Sequence, residues 1–546
     1  MTQDNEIPSG DPEDTPTPEA QSPAANPEIN FDEIHQRVEE FALNHERQEL
    51  TNLLHGTDSK QQRDRMLELS YHILTAEGFF LRDLSGQVYY FTRSSHRLMP
   101  YDNQEFLDYV CLNLGINPAT HEFKLIVAHV QLRARHDAGH RDVHRFACYL
   151  PEKTILYLNH QPNKILRITP ESVDTVPNGT DDLYFVFDRY AEPFEFEPAL
   201  GKSAIQLARQ ILVRGINFMD SILSSSEQEH MFWHTILSIF HLSTSRTKPL
   251  IVIIGEPGSG KTTTLRVLGT ALMGARFEVH RLSTDERDII AAISKHPLVV
   301  LDNIDRPAES LEDLLATVST GICFSRRKLY TDNDELEIIP RAQIGITSKS
   351  PYFNREDVAD RSLVYHVGRI EKAGFRDENA IISEVLEKRS AIMTGLVLAV
   401  QQTLVNIRKR RGLFKKTNFR MADAGLLLIR MSDTPLKMKR ILDKMRREQT
   451  TFVAEGNPLI ELLCSWLTEA SGRSAKYRTT HELFLELSQF CKEKSIRFPY
   501  RSVKSLGMAL SNQRRALESR LRVILDDRRT DNLKYYRFEL KSVPEK

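Results

Sequence analysis

The spacing of apolar residues changes along the chain and divides it into segments. Over residues 31–78 apolar side chains recur every three or four positions, as at Ile34 and Val38, which predicts helices. Residues 79–190 instead alternate in the manner of strands around one predicted helix at 103–114. We therefore expect a helical segment followed by a small α+β domain.

Several strands are predicted within this small domain. A hairpin is expected over residues 79–91, with its turn at Asp83–Gly86. Further strands are predicted at 123–132, 144–150, 154–158, 164–168 and 183–187.

A linker at 191–200 precedes the central part of the chain. Two helical runs follow it, at about 201–223 and 227–243. Strand-like runs then alternate with helical ones, which predicts a parallel sheet with helices on both faces. These strands are expected at 250–254, 276–282, 297–301, 341–347 and 362–367, within a core spanning 201–370, and helices continue through 371–455.

The carboxy-terminal segment, 457–546, predicts three helices and a hairpin. The helices are expected at 459–470, 479–491 and 500–517, and the hairpin at 522–540. This order is that of a winged helix, a variant of the helix-turn-helix DNA-binding module. The alternative is a winged helix that contacts protein.

Charge supports nucleic-acid binding by this segment. Between residues 473 and 541 there are seventeen Lys and Arg against eight Asp and Glu. The third helix would enter the major groove and the hairpin would contact phosphate. The residues expected to contact DNA are Arg501, Lys504, Arg514 and Arg515 on the helix, and Arg528, Arg529 and Lys534 on the hairpin.

Composition sets further limits. A chain of 546 residues predicts two to four domains. Residues 1–30 hold seven acids, six prolines and no Lys or Arg, so we expect a disordered tail, either solubilising or partner-binding. Five scattered cysteines without a C-x-x-C pair fit the cytoplasm. No signal peptide or membrane-spanning run is expected.

Three histidines raise the question of a metal site. His136, His140 and His144 are four residues apart and would align on one helix, where imidazoles could ligate a metal. Neighbouring arginines and Gly139 oppose this reading. A basic loop facing solvent or nucleic acid is the favoured interpretation.

The clearest chemical signal is a glycine-rich loop between a predicted strand and a predicted helix. The spacing from Gly255 to Gly260, Lys261 and Thr262 fits the phosphate-binding pattern G-x-x-x-x-G-K-[ST]. Glycines allow backbone N–H groups to face phosphate oxygens, Lys261 would reach the β- and γ-phosphates, and Thr262 would bind Mg²⁺. The nucleotide contacts are expected from Gly255, Glu256, Pro257, Gly258, Ser259, Gly260, Lys261, Thr262 and Thr263.

A carboxylate at the end of a later strand completes the pattern. Asp302 follows a run of four apolar residues and would hold Mg²⁺ beside the loop. ATPases of this broad class usually place Glu next, whereas this chain has Asn303, which cannot accept a proton. Either Asp305 activates the water or Asn303 only orients it, with slow turnover. For Asp305 the alternative is a loop carboxylate.

Three features together resemble the AAA+ ATPases that have a β-hairpin before the sensor 1 strand. They are the glycine-rich loop, the pair Asp302-Asn303, and the segment from Arg326 to Arg341, which runs into a strand that ends at Thr347. This clade includes superfamily 3 helicases and the minichromosome-maintenance helicases. The chain is most similar in character to helicase-like ATPases of phages and integrated mobile elements.

The resemblance implies a hexameric ring around DNA, with ATP and Mg²⁺ bound between subunits. It makes Thr347 the sensor 1 residue and Arg361 the arginine finger, with Arg355 as second candidate; Arg361 could instead pair with Asp357 or Asp360. Arg420 would reach the nucleotide from a helical lid at 371–455. Cations for single-stranded DNA in the pore would come from Arg326, Arg327 and Lys328, although the expected hairpin tip, 331–334, is acidic.

The resulting expectation is a multidomain protein with an α/β P-loop AAA+ core, acting as an ATP-dependent DNA motor of helicase type. A slowly hydrolysing nucleotide switch that loads or recruits a partner protein is the first alternative. A DNA-binding regulator with a vestigial loop is the second, and the intact Lys261, Thr262, Asp302 and Arg361 argue against it.

Overall fold

The structure of the chain is a computed structural model. It describes residues 31–55, 59–187, 191–279, 286–305, 309–322, 324–327, 335–338, 340–349, 356–370, 376–454, 458–469, 471–512, 514, 517–518, 521–525 and 534–540. The acidic segment 1–30 lies outside the described residues.

Helices and short strands alternate through the amino-terminal region. In chain order these are α1 (Phe31–Leu54), α2 (Lys60–Glu77), β1 (Gly78–Arg82), β2 (Val88–Thr92), β3 (Leu98–Pro100), α3 (Gln104–Leu114), α4 (His121–Asp137), β4 (Gly139–His140), β5 (Val143–His144), β6 (Ala147–Leu150), β7 (Ile155–Gln161), β8 (Lys164–Ile168), β9 (Val173–Pro177) and β10 (Tyr184–Phe185). One sheet has the order β3-β2-β1-β4, a second is β6-β7-β8-β9, and β5 pairs with β10. The predicted hairpin and the helix at 103–114 are confirmed.

The strand predicted at 123–132 is wrong, because this segment lies within α4. Thr120 caps the helix by accepting a hydrogen bond from the Phe123 N–H. Ile126, Val130 and Ala134 are fully buried at a spacing of four, which is a helical stripe. The apolar residues between them made the run look continuous in sequence.

The three histidines do not share a helix. His136 lies at the end of α4, His140 on β4 and His144 on β5. His144 is buried, and burial, with a contribution from Arg341, lowers its pKa to about 3. Among the described residues no group of three possible metal ligands comes together.

The segment predicted as a linker, 191–200, is held against the rest of the protein. The Phe194 side chain is buried, and the Arg389 guanidinium donates to the carbonyl oxygens of Glu192 (3.0 Å) and Pro193 (2.9 Å). The helix predicted at 201–223 ends early: a regular helix is followed by a π-helical turn, Gln210–Arg214, and 215–223 are irregular.

A four-stranded parallel sheet forms the centre of the molecule. The elements of this central region are α5 (Gly201–Arg209), α6 (Ser225–Ser238), β11 (Leu250–Ile254), α7 (Lys261–Met273), α8 (Glu286–Lys295), β12 (Leu298–Leu301), α9 (Glu309–Ser319), β13 (Phe324–Arg327), β14 (Glu335–Ile338), β15 (Gln343–Ser348), α10 (Glu356–Ala359) and β16 (Ser362–His366). The order is β12-β15-β11-β16 with every pair parallel, so the predicted parallel sheet is confirmed. The interior strands read as continuous apolar runs because helices cover both faces.

Two predictions for this region, a hairpin and a further strand, have different outcomes. The pair β13–β14 is antiparallel, which confirms the predicted hairpin before β15. Residues 276–279 form no strand, and the rest of the strand predicted at 276–282 lies outside the described residues.

Helices dominate the rest of the chain. They are α11 (Glu378–Glu387), α12 (Arg389–Lys409), α13 (Ala422–Met431), α14 (Pro435–Ala454), α15 (Pro458–Glu469), α16 (Thr480–Glu493) and α17 (Val503–Asn512), and the strands among them are β17 (Arg478–Thr479), β18 (Leu521–Leu525) and β19 (Tyr535–Leu540). The predicted carboxy-terminal helices and hairpin are present, and β17 adds a third strand in the order β17-β19-β18.

No membrane-spanning run is expected from the sequence, but within the described residues one helix, α12, is long and apolar enough to cross a membrane. Its most apolar window is 56% buried inside the protein. It packs against α5, and Gly395 permits the close approach: a Cβ there would lie 2.1 Å from the Ala204 carbonyl oxygen. This is the environment of a core helix.

Candidate functional site

The candidate site lies where β11 ends and α7 begins. Gly258 and Gly260 have φ values of 81° and 76°, which L side chains rarely adopt. A Cβ on Gly255 would lie 2.4 Å from the Val367 carbonyl oxygen. The glycines therefore serve two needs, backbone conformation at two positions and close packing at the third.

Lys261 folds back over this loop. Its Nζ donates to the carbonyl oxygens of Gly255 (2.7 Å) and Glu256 (3.1 Å). Burial lowers the pKa of Lys261, and the nearby Asp302 and Asp305 carboxylates oppose that shift. An ammonium held only by carbonyl oxygens can turn towards an anion without breaking an ion pair.

Three segments bring oxygen atoms together at Asp302. The Thr262 hydroxyl, from α7, donates to Asp302 Oδ1 at 2.6 Å, and the Thr347 hydroxyl, from β15, donates to the same atom. Hydroxyl and carboxylate oxygens are the ligands that Mg²⁺ prefers. The structure thus places two hydroxyls that the sequence singled out, those of Thr262 and Thr347, on one carboxylate oxygen of Asp302.

The backbone conformation at position 303 explains why an asparagine occupies it. Its φ is 58°, in the left-handed region, and its N–H donates to Thr347 Oγ1 at 3.0 Å. Asn tolerates this conformation far better than Glu does. The residue that departs from the pattern of the ATPases that the sequence resembles is therefore also the one that its backbone favours.

Asp305 links the ends of two strands. Its Oδ1 accepts from the Ser348 hydroxyl (2.6 Å) and from the Lys349 N–H (2.9 Å). These are the contacts of a loop carboxylate, one of the two readings that the sequence left open.

A cleft of about 850 Å³ opens beside the loop. One wall is formed by Gly258–Gly260 and Thr263, and the other by residues 210–217 and α11. Glu378, at the start of α11, accepts hydrogen bonds from Arg266 (2.5 Å) and Thr263 (3.3 Å) of α7. The cleft is large enough for a nucleotide.

Sequence reasoning missed the lid residues that line this cleft. Arg369 and Arg376 face it, and Arg376 is ion-paired with Glu384 at 2.6 Å. Arg420, the predicted lid arginine, does not line the cleft and donates to Asp360 Oδ2 at 2.9 Å. Nothing in the local sequence distinguished these arginines, because their positions depend on how α11 and α13 pack.

Arg361 lies at the opposite edge of the sheet from the glycine-rich loop, just before β16. Its guanidinium donates to Asp357 Oδ2 (3.1 Å) and to the Ala316 carbonyl oxygen (3.3 Å). The pairing with Asp357, considered as an alternative, is thus observed. Any contact between Arg361 and a phosphate loop would require the loop of another copy.

The predicted DNA-binding cations are spread over two places. Arg326 and Arg327 are on β13. Arg501 and Lys504 are exposed beside and on α17, Lys534 is exposed before β19, and Arg514 pairs with Glu518 at 2.8 Å. Lys328, Arg355, Arg515, Arg528 and Arg529 lie outside the described residues.

Comparisons with known proteins give one family match. Residues 211–446 match the family described as "Actinomycete integrative conjugative element replication protein". This stretch contains the parallel sheet, the candidate site and most of the lid. The match fits a mobile-element replication protein and is compatible with a role in DNA replication.

Among the curated proteins nothing matches the chain. Among solved structures, it is similar to "The A form apo structure of NrS-1 C terminal region-CTR", with 11% identity, a TM-score of 0.37, and coverage of 86% of this chain and 98% of that one. It is also similar to "The apo structure of NrS-1 C terminal region (305-718)", with 10% identity, a TM-score of 0.37 and the same coverage.

Proposed function

We propose that this protein is an ATP-dependent motor on DNA, a hexameric helicase that serves the replication of a mobile element. The observation that carries the proposal is the meeting of Thr262 and Thr347 on Asp302 Oδ1, beside a glycine loop that holds Lys261. A hydroxyl, a carboxylate and a lysine on such a loop are what phosphoryl transfer with Mg²⁺ requires.

Two further features of the glycine-rich loop suit the binding of a triphosphate. The Ser259 hydroxyl is buried and has no hydrogen-bond partner among the described residues. The N-terminus of α7 adds partial positive charge at the same place. Lys261 and the loop N–H groups would hold the phosphates, while Thr262 and Asp302 would hold Mg²⁺, which neutralises developing charge.

The position of Arg361 supports the proposed ring. This residue and the glycine loop lie at opposite edges of one sheet, so a single copy cannot bring them together. In a closed ring, Arg361 of one copy would face the loop of the next, and such an arginine can contribute roughly 10³–10⁵ in rate. Within one copy, Asp357 would hold it in place.

DNA would be bound at two places. The β13–β14 hairpin would meet single-stranded DNA in the pore of the ring. The carboxy-terminal helices and hairpin would bind duplex DNA through their excess of Lys and Arg.

A second function is favoured by the residues beside Asp302. The next position carries an amide, Asn303, and Asp305 is bonded to Ser348 and Lys349. A site with no carboxylate directed to the attacking water would bind ATP and turn over slowly. Such a protein would act as a nucleotide switch that assembles and recruits a partner.

The test is ATP hydrolysis by the full chain, with and without single-stranded DNA, with mass measured in parallel. Lys261→Ala removes the phosphate contact, and Asp302→Asn removes charge while its amide oxygen can still accept from both hydroxyls. Each should reduce turnover by about 10²-fold or more. Lys202→Ala, an exposed lysine on α5, is the matched control and should leave turnover unchanged.

The outcomes separate the candidates. DNA-stimulated hydrolysis by a hexamer, lost in both variants, supports the motor. ATP-dependent assembly with negligible turnover supports the switch instead. Equal hydrolysis by wild type and Lys261→Ala would exclude this loop as the site.

A further inference from the structure

Arg376 lies at the lid side of the cleft beside the glycine-rich loop, two residues before α11. Its guanidinium donates to Glu384 Oε2 at 2.6 Å, and Glu384 lines the same cleft. This contact places the charged end of Arg376, and not only its stem, at the wall of the cleft. Arg369 also lines the cleft, and its carbonyl oxygen accepts from Asn217 Nδ2 at 3.3 Å.

The wall that carries Arg376 is bonded to the helix that follows the loop. Glu378 accepts from the Thr263 hydroxyl at 3.3 Å and from the Arg266 guanidinium at 2.5 Å, and both donors are on α7. Because Arg376 stands two residues before Glu378, their Cα atoms are at most about 7 Å apart. Arg376 is therefore close to the contact between α11 and α7.

The acids of the cleft have cations other than Arg376. Among the described residues that line the cleft, the acids are Glu378 and Glu384. Glu378 is paired with Arg266, and Glu384 accepts from Lys388 Nζ at 2.8 Å as well as from Arg376. Neither Arg266 nor Lys388 is among the lining residues. If Arg376 turned to an anion in the cleft, Glu384 would keep the contact with Lys388.

An anion can replace Glu384 as the partner of Arg376. The Arg376 side chain is largely exposed, and exposed ion pairs contribute little to stability. Hydrogen bonds from Lys388, first, and from Arg376 lower the pKa of Glu384 to about 2, so this carboxylate is ionised and shared between two cations. A phosphate in the cleft would offer Arg376 two oxygens in the geometry that a guanidinium fits.

The lining of the cleft indicates which part of a nucleotide faces Arg376. Gly258–Gly260 and Thr263 line it, whereas Lys261, Thr262 and Asp302 are not among its described lining residues. In loops of this pattern the backbone N–H groups hold the α- and β-phosphates, and the lysine reaches the β- and γ-phosphates. The cleft therefore opens on the side of the α- and β-phosphates, away from the residues proposed for the γ-phosphate and Mg²⁺.

We propose that Arg376 binds the α- and β-phosphates of the nucleotide from the lid side of the cleft. This assignment rests on the proposed nucleotide site, but on neither hydrolysis nor DNA binding. A residue that contacts only these phosphates stabilises bound ADP and bound ATP equally, and the transition state no more than the ground state. Arg376 thus sets the affinity for nucleotide and product, whereas the proposed arginine finger, Arg361, would set the rate.

Calorimetric titration of the full chain with ADP, and with a non-hydrolysable ATP analogue, tests the assignment without turnover. Arg376→Gln should weaken the binding of both by the same factor, about five- to tenfold. In hydrolysis it should raise KM for ATP and leave kcat unchanged. Arg408→Gln is the matched control, because Arg408 is an exposed lid arginine paired with Glu171 that does not line the cleft. It should leave both affinities unchanged.

A double variant separates direct contact from the charge of Glu384. Arg376→Gln combined with Glu384→Gln keeps the net charge of the wild type, and its affinity for ADP should stay low. Recovery of wild-type affinity would overturn the assignment, because the loss in Arg376→Gln would then come from an uncovered carboxylate.

Other outcomes contradict the assignment in different ways. Unchanged affinity in Arg376→Gln, or equal weakening in Arg408→Gln, would overturn it while leaving the proposed nucleotide site intact. A loss confined to the ATP analogue, or a fall in kcat, would make Arg376 a contact of the γ-phosphate instead. If the wild type binds neither nucleotide, or if Lys261→Ala binds both as the wild type does, the proposed nucleotide site fails and this assignment fails with it.

Discussion

The two edges of the parallel sheet are built differently. The edge at the strand ends gathers hydroxyls and carboxylates, with Thr262 and Thr347 on Asp302. The edge at the strand starts gathers cations, of which Lys295 and Arg341 line a cleft without acids among its described residues. The first arrangement presents the oxygen ligands that Mg²⁺ prefers, and the second presents a row of basic residues.

The strand β15 joins both edges. Arg341 precedes it and Thr347 lies near its end, six residues later, which is about 20 Å at 3.3 Å per residue. A single nucleotide cannot reach both places. Any coupling between the proposed nucleotide and DNA sites would therefore pass through this strand and the hairpin beside it.

The largest effect is expected from removing the buried cation at the strand starts. The pKa of Lys248 is lowered from 10.5 to about 8, chiefly by burial. The unfolded chain therefore binds the proton more tightly, and stability should rise with pH between about 8 and 10.5. Lys248→Met should remove this rise and raise the free energy of unfolding at pH 7 by on the order of 3 kcal/mol.

The measurement is urea unfolding of the wild type and the variant at several pH values. Lys202→Met, at an exposed position, serves as the control and should keep the pH dependence of the wild type. If the free energies of unfolding of Lys248→Met and wild type change in parallel with pH, burial does not lower the pKa of Lys248.

The next effect concerns close packing at the glycine loop. A Cβ at Gly255 would meet the Val367 carbonyl oxygen at 2.4 Å, so Gly255→Ala should destabilise the core by about 1–3 kcal/mol. It should also weaken nucleotide binding, because the loop must shift. Thermal unfolding and nucleotide titration measure the two effects.

Gly139→Ala is the matched control for this substitution. Gly139 lies on an exposed strand, and nothing lies within 4 Å of a Cβ there. Its unfolding midpoint should stay near that of the wild type. If both variants unfold alike, close approach at Gly255 is not the reason for the glycine.

The smallest effect is expected at Asn303. Its positive φ predicts that Asn303→Glu lowers stability by about 1–2 kcal/mol, whereas Asn303→Gly does not. Thermal unfolding of both variants measures this difference. Turnover of ATP by Asn303→Glu distinguishes the proposed functions, since a faster rate in a less stable protein would mark the wild type as a slow switch.

The sequence predicted the candidate site where neighbours in the chain are neighbours in space. Gly255 to Thr262 is one continuous loop. Asp302 follows an apolar strand and Thr347 lies near the end of another, and their parallel pairing could be inferred. Where contacts depend on packing between helices, prediction failed. Arg420 bonds to Asp360, and Glu378, which sequence reasoning overlooked, bonds to Arg266.

The sequence by itself determined the parallel sheet, the glycine loop and the acid at its edge, because each follows from local period and spacing. Only the tertiary structure decided that Arg145, Lys295 and Arg341 line one cleft, since they come from three distant segments. It also decided the left-handed backbone at Asn303 and the pairing of Arg361 with Asp357. The physical reason is that apolar periodicity fixes which elements form, whereas side-chain charges meet only after those elements pack.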